Sequence, residues 1–95
     1  MKELQDPAFA SEYLSQALAT EDQGTFLLAL RDVVESQGGL GPLARQLSIQ
    51  RQSLYRVLSM SGNPVLTTLR EILEKLGLVI FVAPKPKAPR RRKKR

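Results

Sequence analysis

Apolar residues return along this chain at intervals of three and four, and each run stops at a breaker. That interval places side chains on one side of an α-helix, so the chain reads as a series of short amphipathic helices. Asp6-Pro7 opens the first, over about residues 7–19, with Phe9, Tyr13, Leu14, Ala17 and Leu18 as its apolar side. Asp offers an acceptor to the free N–H groups, and Pro is preset for the first helical position. A polar break from Thr20 leads to a second helix, about residues 22–37, carrying Phe26, Leu27, Leu30, Val33 and Val34, with Asp22 placed to cap it. Gly38-Gly39 ends that helix, because glycine takes the left-handed backbone without a Cβ clash.

Gly41-Pro42 starts a third helix with Leu43, Ala44 and Leu47 facing inward; Ser48-Ile49-Gln50 is a tight turn; a fourth helix covers about residues 51–59 with Leu54, Val57 and Leu58 inside. The Ser61-Gly62-Asn63-Pro64 cluster breaks the chain again. Leu66, Leu69, Ile72, Leu73 and Leu76 mark a fifth helix, closed by Gly77. Residues 78–82, Leu-Val-Ile-Phe-Val, are rich in β-branched types and predict a short C-terminal β-strand. A lone strand needs a partner, and the same strand of a second chain across a two-fold axis would supply one, making a homodimer. The competing reading is an extended segment laid along the chain's own helices. The expected fold is therefore all-α: a five-helix, repressor-like helix-turn-helix domain over residues 1–84, with the strand at 78–82 and a disordered basic tail over 85–95.

The segment over residues 41–59 meets the demands of a helix-turn-helix unit, two short helices crossing steeply around a tight turn. A small residue must sit where the second helix crosses the first, and Ala44 does. Four positions later the turn wants a glycine-like residue; Ser48 stands there, where glycine would fit better. Ile49 follows as an apolar plug, and Leu54 and Val57 come five and eight positions beyond it. The opposite side of the fourth helix shows Gln52, Arg56 and Ser59, flanked by Arg51, Ser53 and Tyr55, with no acid. Arg suits the guanine edge and Gln the adenine edge in a major groove. Residues early in such a helix reach bases, while hydroxyls position on phosphate. Gln50, Arg51, Gln52 and Arg56 are the expected base or phosphate contacts, and Ser53 and Tyr55 the expected phosphate contacts. Short amphipathic helix pairs also occur in bundles with no such role; here the acid-free face and the surrounding helices favour DNA.

Composition narrows the function. The chain has 95 residues, no Cys and no His, which removes thiolate and imidazole ligands and the commonest general base. No catalytic carboxylate pair, metal site, cofactor loop or enzyme motif stands out; Gly38-Gly39-Leu40-Gly41 lacks the strand and lysine of a phosphate-cradling loop. The apolar run near Leu76–Pro84 is too short to cross a bilayer. No leader pattern is visible at the start, and a reducing cytoplasm is expected. The net charge is +6, yet residues 85–95 hold eight basic residues and no acid. The remaining seven basic residues face nine acids, so all excess positive charge lies in the tail. Three roles compete for that tail: a solvated end, an arm binding phosphates without sequence preference, and a segment that orders on a protein partner.

The order DPAFASEYLSQAL, then ALRDV, GGLGPLAR, SLYRVLS and GNP followed by LTTL, resembles the HigA-like antidote (antitoxin) proteins of addiction modules, which carry a phage-repressor, Xre-type helix-turn-helix. The resemblance covers about residues 6–82. It implies an antitoxin of a type II toxin-antitoxin module that binds double-stranded operator DNA as a dimer and represses its own operon. It further implies that the chain neutralises a small RelE/HigB-like ribonuclease toxin. It places DNA contact around Gln50–Arg56, with backbone contact near Gly41, Arg45 and Asn63. The toxin surface is not fixed by it; the first helix and its acidic flank are the expected face. The alternative is a stand-alone or prophage-derived repressor with no toxin. The long basic tail departs from the family pattern.

Overall fold

The computed structural model describes residues 2–85. Five α-helices follow a short 3-10 turn at Lys2–Gln5: α1 Pro7–Ala19, α2 Gln23–Ser36, α3 Leu40–Leu47, α4 Arg51–Val57 and α5 Leu66–Lys75. The start of α1 forms as its sequence dictates: the Asp6 carboxylate accepts from the Ala8 N–H at 3.3 Å, and Pro7 takes the first helical position. Asp22 does not cap α2 through its side chain; its carboxylate instead accepts the Thr25 hydroxyl at 2.5 Å.

α2 is the central element and buries Leu27, Ala29, Leu30, Val33 and Val34. Ala10 and Leu14 of α1, Leu40, Leu43 and Ala44 of α3, Leu54 of α4, Leu58 just after it, and Ile72, Leu73 and Leu76 around the end of α5 complete one core. The 3-10 turn joins that core: Leu4 is fully buried, Gln5 donates to the Ser36 carbonyl at 3.0 Å and Gln37 donates to the Leu4 carbonyl at 3.2 Å. On α1, two residues expected inside point out: Phe9 is 41% exposed and Leu18 60%. Leu14 is buried as expected, and Ala10, outside the expected set, is buried with it.

The predicted C-terminal strand is absent: residues 78–82 form no strand among the described residues. A strand exists only as one side of a hydrogen-bonded ladder, and there is no second strand to pair with among the described residues. The Leu78 N–H bonds to the Leu73 carbonyl at 2.8 Å, closing the end of α5 around Gly77, whose φ is 80°. Leu78, Val79 and Ile80 then share a groove with Thr67, Arg70, Glu71 and Glu74 of α5. The fold class is thus all-helical without the strand. The tail from residue 86 onward lies outside the described residues.

Candidate nucleic-acid interface

α3 and α4 are joined by Ser48, Ile49 and Gln50. The turn is made by Ser48, in the left-handed conformation (φ 58°, ψ 41°). Its N–H bonds the Arg45 carbonyl at 3.2 Å, and the Ile49 N–H bonds the Ala44 carbonyl at 3.0 Å, satisfying two carbonyls that the end of α3 would leave open. Ala44 is 2% exposed, as the close approach of α4 requires. Ile49, expected as the plug, is 37% exposed. Its backbone makes the turn, and Leu58 fills the interior.

Leu54 and Leu58 fix the rotation of α4; both are fully buried, and each contributes about 1.5–3 kcal/mol by leaving water. At 100° per residue this turns Gln52 and Arg56 outward and Tyr55 to the side, while Arg51 is exposed as the first residue of the helix. These four, with Ser59, line one open concavity. Ser53 is half-buried at the side of the helix, and Gln50 caps the start of α4, its carbonyl accepting from the Leu54 N–H at 3.1 Å. Gly41 and Arg45 lie on α3, the first half-buried and the second exposed. Asn63 is apart from the concavity. It borders a second groove with Gln23, Phe26, Pro64 and Leu69, and Gln23 of α2 donates to the Gly62 carbonyl at 2.9 Å and to the Asn63 side-chain oxygen at 3.5 Å. The structure therefore gathers Arg51, Gln52, Tyr55 and Arg56, and separates Asn63 from them.

Two residues of the site escape sequence reasoning. Gln23 ties the loop after α4 to the start of α2. Arg31, on α2, lies with its guanidinium 4.1 Å from the centre of the Tyr55 ring and donates a hydrogen bond to the Tyr55 hydroxyl. A cation over a ring at an exposed site contributes about 0.5–1 kcal/mol. Arg31 is the one basic residue between Lys2 and Arg45 in the sequence, the signal that could have drawn attention to it. The electrostatics are segregated: residues 36–70 contain four arginines and no acid, while the nine acids all lie before residue 36 or after residue 70. An exposed surface of guanidinium, amide and hydroxyl groups donates hydrogen bonds to anions and to base edges. Among the described residues there is no cluster of His, Cys, Asp and Glu able to hold a metal ion, and no helix long and apolar enough to cross a membrane.

These features define a small all-helical protein whose fourth helix presents an acid-free, donor-rich face. The family model of the probable addiction module antidote proteins matches residues 1–84, and the chain belongs to that family. A relative from Haemophilus influenzae, described as an uncharacterized protein, is 32% identical over 66 residues, spanning 70% of this chain and 67% of the relative. No solved structure matches the chain.

Proposed function

We propose that the chain is the antitoxin of a type II toxin-antitoxin module and binds operator DNA through a helix-turn-helix formed by α3 and α4, repressing its own operon. Membership in the antidote family supports a toxin as its protein partner, and a small RelE/HigB-like ribonuclease is the reading carried here. The observation that carries the DNA reading is the outward face of α4, where Arg51, Gln52, Tyr55 and Arg56 stand together over the buried Leu54 and Leu58. In this reading Gln50, Arg51, Gln52 and Arg56 meet base edges or phosphates, Ser53 and Tyr55 meet phosphates, and Gly41, Arg45 and Asn63 contact the backbone nearby. Two copies would read the two halves of an inverted repeat. The exposed Glu3, Asp6 and Glu12 beside α1 offer an acidic face to a basic toxin.

The test is a mobility-shift titration on the promoter of the chain's own operon, with Arg56→Ala beside the unaltered protein. Arg56→Ala is expected to cost about 1–3 kcal/mol of specific affinity and to relax the preference at one base pair. Unaltered affinity and preference would remove α4 from the interface. Co-expression with the product of the adjacent reading frame, followed by pull-down and a growth assay, tests the toxin half. Failure to bind or to rescue growth leaves the stand-alone repressor.

A further inference from the structure

We propose that Arg31 and Tyr55 together form a composite phosphate clamp, built across α2 and α4, that grips the DNA backbone beside the base-reading face. This rests on the DNA-binding reading of α4 and adds to it a residue from the central helix. Arg31 is remote in sequence, and its guanidinium comes to Tyr55 from another helix, lying over the ring and donating to the hydroxyl. The carboxylates nearest to it along α2 are turned elsewhere. Asp32 accepts the Tyr13 hydroxyl at 2.9 Å, and Glu35 reaches toward Gly39.

The hydrogen-bond inventory then dictates the ligand. A guanidinium has five N–H donors and no acceptor. One donor goes to the Tyr55 oxygen, and the others remain. A phenol oxygen that accepts from a cation turns its own proton away from that cation, so the Tyr55 proton is free to be donated outward. The pair is therefore a donor-rich surface carrying one positive charge, and its Tyr55 lines the concavity with Arg51, Gln52 and Arg56. The group that matches it is an anion rich in acceptors and free of donors, which describes the non-bridging oxygens of a phosphodiester. The guanine edge also offers acceptors alone, but it carries no charge, and Tyr55 stands at the side of α4 rather than on the face of Gln52 and Arg56. The clamp consequently contributes affinity to any duplex and leaves the choice of sequence to the residues facing the groove.

Binding is measured against salt concentration for operator and unrelated duplexes, using Arg31→Met, Arg31→Lys and Tyr55→Phe, each checked for folding by circular dichroism. Arg31→Met is expected to weaken both duplexes by the same factor and to lower the slope of log affinity against log salt by about 1, the value of one phosphate contact. Arg31→Lys retains the charge and is expected to restore that slope. Tyr55→Phe keeps the ring and loses the donor, and is expected to weaken both duplexes equally with little change in slope. A loss confined to the operator, or a slope unaltered in folded Arg31→Met, overturns the clamp. If Arg56→Ala still relaxes sequence preference in that case, the DNA-binding reading of α4 survives; if it too changes nothing, that reading falls instead.

Discussion

Gly62 is where the loop after α4 passes closest to the helix it leaves, and Gly62→Ala tests how rigidly that end is held. A methyl group built on Gly62 would stand 2.1 Å from the Val57 carbonyl oxygen, 2.7 Å from its carbon and 2.8 Å from the Arg56 oxygen. All three are backbone atoms, so no flexible side chain can swing aside. Reaching even the 3.0 Å floor of real contacts needs about 0.9 Å of separation between loop and helix. The loop is tied on both sides: the Gly62 N–H bonds the Ser59 carbonyl at 2.9 Å, and its own carbonyl accepts from Gln23 at 2.9 Å. Overpacking of this kind costs about 1–3 kcal/mol. In a domain of this length each kcal/mol lowers Tm by about 4–8 °C. The assay is thermal unfolding followed at a helical circular-dichroism band. Gly41→Ala is the control: apart from its chain neighbours nothing lies inside 4 Å of the added carbon, and the helical gain is offset by the strain of a Cβ directly before Pro42, so little change in stability is expected. A Gly62→Ala protein melting within about 2 °C of the unaltered chain would refute the reasoning, showing that the loop yields without cost.

Ser48→Gly is expected to stabilise. Ser48 holds φ 58°, a conformation costing an L-residue about 1–2 kcal/mol, partly offset by the greater freedom of glycine in the unfolded chain. The net gain of about 0.5–1 kcal/mol is read as a higher denaturant midpoint at constant slope, and a lower midpoint would contradict it. For Tyr13, the hydrogen bond to Asp32, then burial, then the Asp32 charge raise the phenol above its ordinary 10.0. The folded state therefore holds that proton more tightly than the unfolded one. The resulting stability is complete below pH 10.0 and is lost as pH climbs through the raised value. Tyr13→Phe is expected to flatten this alkaline loss in melting curves taken across pH; an identical profile would show that the bond is not kept in solution.

The helices were legible because their ends carry local chemistry: Asp6-Pro7, the glycine pair before α3 and Gly77 act within a few residues of where they stand. The left-handed Ser48 was legible for the same reason. Which side chains are buried was less so. Phe9 and Leu18 are large and apolar, yet they are exposed while Ala10 and Leu14 are buried, because burial follows the side of the helix turned to the core and not the size of the side chain. Leu78–Val82 read as a strand from its β-branched content, but pairing is a property of two segments and composition describes one. Arg31 was missed because its partner lies on another helix, a relation that periodicity within one helix cannot register.

The acid-free stretch over residues 36–70, set against the acids gathered before and after it, gives the described part of the molecule a lopsided charge map. A body charged in this way experiences torque as well as attraction near a polyanion. Under the DNA-binding reading proposed above, at low ionic strength it would arrive already turned, with α3 and α4 leading, so that fewer collisions are wasted on the wrong side. Adding salt would erode that alignment before it weakened any single contact.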